Sequence, residues 1–252
     1  MKYFWGKAGF YFFLVVVWYI LANSGRWPEY ILPAPEEVLQ NLAAGLRSGR
    51  YILAVGVSIR RLLLGYLLSL TIGIPLGMLT GKYHWLDETV GSLLLALQTL
   101  PSICWLPLSL LWFGLNERAI LFVVVMGAVL SIALATNSGV KNVAPLYVRA
   151  GKNLGAKGFV LFSHIILPAA LPSIVMGLKQ GWSFAWRSLM AGELLFINLG
   201  LGHLLMMGRE LNDMAQVMAV MFMVVVIGLF FDRLVFSKME KSVRRRWGFD
   251  RT

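Results

Sequence analysis

Charge is what this sequence has least of. Only 14% of its 252 residues are charged, while 58% are hydrophobic. Soluble domains carry about 25% charged residues. The deficit leaves too little polar surface for a water-soluble fold of this length, so long apolar runs point to the bilayer as solvent. Cysteine is nearly missing as well. The single Cys104 excludes an intrachain disulfide, and its apolar surroundings without other metal-type ligands make it a small buried hydrophobe. Catalytic motifs are also lacking: there is no H-E-x-x-H, C-x-x-C or G-x-S-x-G, and His84, His164 and His203 are widely scattered. Gly6-Lys7, Gly81-Lys82 and Gly151-Lys152 are followed by Ala8, Tyr83 and Asn153, never by Ser or Thr. That excludes a P-loop of the usual form. No catalytic group, resident cofactor or metal site is therefore expected on this chain. No solenoid repeat or low-complexity segment is present, and the length suits one membrane domain, 1–252.

What the chain does have is six apolar runs: roughly Gly9–Leu21, Leu62–Leu79, Val90–Phe113, Ile120–Thr136, Ser173–Gly192 and Met214–Phe236. The first also fits a signal peptide, with Lys2 and Lys7 before it and Ala22-Asn23-Ser24 after it, although the bulky stretch from Phe12 to Tyr19 favours a retained span. Six spans with the N-terminus inside put Lys2, Lys7, Lys82, Lys141, Arg149, Lys152, Lys157, Arg233, Lys238, Lys241, Arg244, Arg245, Arg246 and Arg251 on one side. Only Arg26, Arg47, Arg50, Arg118 and Arg209 fall on the other; Arg60, Arg61, Lys179 and Arg187 lie in or at the edges of spans. The positive-inside rule then places both Met1 and Thr252 in the cytoplasm. The same distribution explains the net charge of +11 without a nucleic-acid partner.

Between the first two runs lies a segment, 26–51, rich in proline and acid. Pro35-Glu36-Glu37 opens a helix whose Val38, Leu39, Leu42 and Leu46 form one apolar edge, suited to the outer membrane surface. In the second span Gly65, Ser69, Gly73, Gly77 and Gly81 recur every fourth residue. This stripe lets another backbone come close, either within the chain or across a subunit interface. Pro75 inside the stripe is expected to kink the helix.

The fifth span has two faces at 100° per residue. Ser173, Gly177, Gly181, Phe184, Ala185, Ser188, Ala191 and Gly192 make a mostly small face; Lys179, Trp182, Ser183, Trp186, Arg187, Met190 and Glu193 gather opposite. A charge near mid-bilayer costs about 2.5–3.5 kcal/mol on insertion scales. Lys179, Trp182, Ser183, Trp186, Arg187 and Glu193 are therefore candidates to line a translocation pathway. The alternatives are an ion pair of the cations with Glu193, or a shifted span that puts Lys179 at the inner surface. Two cations against one acid make an anionic solute the expected cargo.

The cytoplasmic segment 142–168 reads as two short helices. Pro145 opens the first, Leu154-Gly155-Ala156-Lys157-Gly158 breaks the pair, and Pro168 and Pro172 end the second. Leu146, Ala150 and Leu154 share a face of the first helix, and Phe159, Phe162 and Ile166 a face of the second, with basic residues on the exposed side.

Within this segment Arg149-Ala150-Gly151, three residues, Gly155, nine residues and Ile165-Ile166-Leu167-Pro168 resemble the E-A-A, G, I-x-L-P pattern of permease subunits of binding-protein-dependent ABC importers. Arg149 stands where that pattern has glutamate and Gly151 where it has its second alanine. Leu32-Pro33-Ala34-Pro35, Ile74-Pro75-Leu76-Gly77, Leu106-Pro107-Leu108 with Trp112-Phe113-Gly114, Trp186-Arg187 with Glu193, Gly200-Leu201-Gly202, and Gly228 with Asp232 look like its nitrate, sulfonate, taurine and bicarbonate branch. The resemblance implies an all-α integral membrane protein of about six transmembrane helices, the type I importer permease fold, in a bacterial inner membrane. It implies a second permease copy, most simply a homodimer, and a pair of ATPase subunits that bind ATP and magnesium. It further implies an extracytoplasmic substrate-binding protein. Arg149, Ala150, Gly151, Gly155, Ala156, Ile165, Leu167 and Pro168 would couple the chain to the ATPase. The rival reading is an ATP-independent secondary transporter or channel, which predicts internal symmetry and a buried acid in the first four spans to mirror Glu193. A membrane-embedded enzyme would need a clustered set of ionisable residues.

Overall fold

The structure is a computed structural model that describes residues 2–195 and 199–246. Met1 and Thr252, assigned above to the cytoplasm, lie outside the described residues. Every regular element among them is helical. In chain order these are α1 (Lys2–Ala22), α2 (Pro35–Arg47), α3 (Arg50–Lys82), α4 (His84–Gln98) and α5 (Ser102–Phe113). There follow α6 (Glu117–Lys141), α7 (Pro145–Asn153), α8 (Gly158–Leu195), α9 (Leu201–Glu210), α10 (Met214–Phe231) and, after a π turn at Asp232–Phe236, α11 (Ser237–Arg246). Among the described residues, five helices are long and apolar enough to cross a membrane, and six if α4 and α5 count as one bent span. Contacts divide the chain into two compact units, Met1–Ser58 with Glu193–Ile227, and Ile59–Gly192 with Gly228–Thr252.

The second unit is organised around α6. Ala119, Ile120, Val123, Val124, Ala128, Ile132, Ala133 and Thr136 on this helix are fully buried. The reason lies in the small residues of its neighbours. A Cβ at Gly65 would stand 2.5 Å from Val124 Cγ1, one at Gly73 3.0 Å from the Val129 carbonyl oxygen, and one at Gly77 2.3 Å from that of Ala133. The α3 stripe is thus an intrachain packing surface. On another face of α6, Gly177 meets Ala135, Gly181 meets Ile132, and Ser188 fits against Gly127. The small face of the fifth span therefore has α6 as its partner, and helices in lipid associate through such backbone-close contacts.

The third span differs from the sequence expectation of one helix over Val90–Phe113. It is broken into α4 and α5, which meet at 102°. Proline explains the break: Pro101 has no N–H for the ladder and takes ψ 138°, and a residue before proline is driven from the α region. The Thr99 and Leu100 amides instead close short turns on the Ala96 and Leu97 carbonyls. A bend this sharp could belong to a re-entrant loop, but the ends of the pair decide against it. Asp87, near the start of α4, pairs with Lys141 and accepts from Asn137 Nδ2 at 2.9 Å, at the C-terminal end of α6. Phe113, at the end of α5, packs on Phe122 near the other end of α6, with ring centroids 5.4 Å apart. The pair reaches from Lys141 to Phe122, 19 residues of α6 or about 28 Å, and so crosses as a broken span. Cys104, expected to be buried, is exposed in the short turn beside the break.

In the first unit α2 forms where proline and acids predict it. Pro35 occupies its first turn and the Ala34 amide donates to Glu37 Oε2 at 3.0 Å. Its apolar edge is divided, with Val38 buried and Leu39 exposed. Tyr51 explains the orientation: its ring packs where Gly45 has no side chain and its hydroxyl hydrogen-bonds to Asn41 Oδ1. Asn41 Nδ2 in turn donates to Asp213 Oδ2 at 3.3 Å.

Candidate functional site

The loop end of the second unit is built on a helix terminator. α7 stops at Leu154 because Gly155 takes φ +86°, a conformation favoured by glycine. The Ala156 amide donates to the Gly151 carbonyl at 2.9 Å and the Gly155 amide to Lys152 at 3.0 Å, the paired bonds of a Schellman motif. Gly151 is buried, and a Cβ there would fall 2.0 Å from Ile165 Cδ1, so its lack of a side chain lets the second half of the loop close onto α7. Arg149 and Ala150 are exposed, while Ala156, Leu167 and Pro168 are half-buried. Tyr147, Ala150, Gly151, Leu154, His164, Ile165 and Ala169 line a groove of about 450 Å³.

Two expectations for this loop are corrected. The segment is not two short helices: from Gly158 the chain continues as one 38-residue helix, α8, to Leu195. Pro168 and Pro172 do not stop it, because a π turn at Phe162–Ile166 loosens the ladder just ahead of them. The apolar positions are also not covered: Leu146 is 72%, Leu154 88% and Phe159 76% exposed.

The pathway candidates are distributed unevenly. Lys179 Nζ lies 3.0 Å from Asp232 Oδ1, and Trp182 is buried edge-on to Tyr66 and against Phe231 and Phe236. These two form a packed latch between α8 and the π turn after α10. Trp186 is half-buried beside Gly228. Ser183 and Arg187 stay exposed; Arg187 Nε donates to the Ser183 carbonyl at 3.2 Å and its guanidinium lies 4.6 Å over the Phe184 ring. No carboxylate pairs with Arg187 among the described residues. It faces a cavity of about 260 Å³ at the α4–α5 bend, lined by Gln98, Thr99, Leu100, Pro101, Ser102, Trp105, Met126, Gly127, Leu130 and Phe184. Sequence reasoning missed this cavity, although Pro101, eleven residues past Val90 in an apolar run, was the available signal.

Glu193 belongs to the first unit. Its side chain is fully buried, and both oxygens accept from Ser58 Oγ, at 2.9 and 2.7 Å. Oε2 also accepts from the Gly202 amide at 3.0 Å, and Ser58 Oγ accepts from the Leu201 amide at 2.9 Å. The carboxylate thus occupies the N-terminal turn of α9, where unpaired amides favour an anion. A Cβ at Gly200 would lie 2.6 Å from this carboxyl, which explains the glycine before α9. The helix α9 itself was not foreseen.

Residues 73–244 match the family described as binding-protein-dependent transport system inner membrane component. The chain belongs to this family. A putative ABC transporter permease of Methanocaldococcus jannaschii is 38% identical over 224 residues, covering 87% of this chain and 84% of that one. A putative aliphatic sulfonates transport permease of Escherichia coli is 30% identical over 234 residues, covering 93% and 88%. The permease also shares its fold with a chain of an inward-facing MetNI methionine ABC transporter, at a TM-score of 0.66 and 17% identity over 78% of this chain and 97% of that one. It is an all-helical, multi-pass ABC importer permease, and the loop carrying Gly155 stands where the family pattern was read.

Proposed function

We propose that this permease moves a small anion, an aliphatic sulfonate or a related oxyanion, across a bacterial inner membrane by ATP-driven alternating access. It works with a second permease copy, a pair of ATPase subunits that bind ATP and magnesium, and an extracytoplasmic binding protein. Membrane lipid covers its outer faces. The observation that carries the reading is the continuity of α8. One helix begins at Gly158, just past the Gly155 turn, and bears Arg187 29 residues further on, about 44 Å away. A push on the loop is therefore delivered along one continuous helix to Arg187, the one cation that lines the bend cavity among the described residues, and the exposed Leu146, Leu154 and Phe159 suit a protein partner at the loop. The relative named for aliphatic sulfonates supports an anionic cargo. Uptake of methanesulfonate by proteoliposomes holding permease, ATPase and binding protein should require ATP; uptake by the permease alone would favour a secondary transporter instead.

Two further outcomes are expected. Six crossings, counting α4 and α5 as one, and the basic residues of the α7 region and α11 support an orientation with both termini in the cytoplasm. A reporter that matures only in the cytoplasm should give signal when fused to the C-terminus and none when fused after Gly49; the reverse pattern would reject the orientation. At the loop, Gly155→Val forces a β-branched residue to φ +86°, which costs such residues roughly 1–2 kcal/mol or more. The permease should still insert, but copurification with the ATPase and substrate-stimulated ATP hydrolysis should fall severalfold. Normal values for both would remove the loop from coupling.

A further inference from the structure

We propose that the cavity at the α4–α5 bend is a transient anion site on the translocation route, in which the Arg187 guanidinium supplies the charge and the Gln98 amide and Ser102 hydroxyl donate hydrogen bonds. The proposal rests on the importer reading above and names the place where that anion is held.

The donors come first. Arg187 uses Nε on the Ser183 carbonyl, and its terminal nitrogens have no acceptor among the described residues. The side chains of Gln98 and Ser102 likewise make no hydrogen bond to another described residue. A guanidinium, an amide and a hydroxyl thus line one cavity, and no carboxylate lines it among the described residues. The arrangement favours an anion and gives a cation no counter-charge. Phe184 under the guanidinium fixes the head group, since a cation held over a ring keeps its edge free for planar, bidentate donation.

The backbone points the same way. Irregular backbone at membrane depth is tolerated where it lines a cavity, and broken helices in transporters mark solute sites. Here the break falls between Gln98 and Ser102, the two neutral donors. A guanidinium in the bilayer with no carboxylate beside it among the described residues is costly, and an arriving anion offsets part of that cost. The volume of about 260 Å³ lies below the roughly 300–1,000 Å³ of pockets for drug-sized ligands, so the site suits a solute of a few heavy atoms. Gly127 in the wall cannot grow, because a Cβ there would meet Ser188 Oγ at 2.0 Å.

The test uses the chain's single cysteine as an advantage. Cys104→Ser removes it, and Ser102→Cys then places one thiol in the cavity, with Thr99→Cys as a second position. In the assembled complex, the thiol is labelled with a sulfonate-bearing and a trimethylammonium-bearing methanethiosulfonate reagent. The sulfonate-to-cation rate ratio should fall about tenfold on adding Arg187→Gln, and methanesulfonate should slow labelling only while Arg187 is present. An unchanged ratio at both positions, or labelling indifferent to methanesulfonate, overturns the proposal. Uptake by the native complex separates the two readings. Anion uptake with an unchanged ratio removes the cavity alone, whereas a native complex that carries choline and no anion removes the anion reading itself.

Discussion

Gly77→Leu should leave almost no folded permease. A Cβ at this position would stand 2.3 Å from the Ala133 carbonyl oxygen and 2.6 Å from Thr136 Cβ. The first is a backbone atom of a fully buried residue on α6, so no rotamer change relieves the overlap. A Cβ at neighbouring Gly73 would likewise stand 3.0 Å from the Val129 carbonyl oxygen, so the helices have no slack to slide. Overpacking a well-filled core costs about 1–3 kcal/mol; here α3 and α6 would have to separate, and the cost is larger. The monodisperse fraction after detergent extraction should drop at least tenfold, with Gly77→Ala already impaired. Gly56→Ala, where nothing lies within 4 Å, is the control and should behave as wild type. A stable, monodisperse Gly77→Leu would show that the α3–α6 contact does not hold the unit together.

The second large effect is expected at Glu193. Removing the carboxylate in Glu193→Ala strands the Ser58 hydroxyl and the Gly202 amide in a buried site, at about 1–3 kcal/mol for each unsatisfied donor. Glu193→Gln keeps the shape but exchanges one acceptor oxygen for a donor, so it should lie between wild type and Ala. Thermal unfolding of the purified protein should show that order. If Glu193 existed to brace Arg187, Arg187→Gln would destabilise equally. The structure gives Arg187 other partners, Ser183 and Phe184, so Arg187→Gln should assemble normally. Equal loss of assembly in Arg187→Gln and Glu193→Gln would restore the ion-pair account.

The sequence carried its spans openly because each is a long apolar run and the bilayer leaves helix as the way to satisfy its backbone. The second and fifth spans could also be read face by face. Small residues at every fourth position in one, and a small face opposite a charged one in the other, survive as contacts with α6. Individual polar residues were harder to place. Lys179 and Arg187 share a face eight residues apart, yet one meets Asp232 and the other a cavity, since the partner of a side chain lies on a different helix.

By itself, then, the amino-acid sequence determined a helical, multi-pass membrane protein and a glycine turn at Gly155 that ends α7. Each of these follows from local composition or from a conformation open to one residue type. Only the tertiary structure decided that the third span is broken yet crosses, that α8 runs unbroken through Pro168 and Pro172, and that Glu193 serves Ser58 and Gly202. These outcomes depend on which carbonyls, amides and rings a neighbouring helix brings near, and that distance is fixed by packing rather than by spacing along the chain.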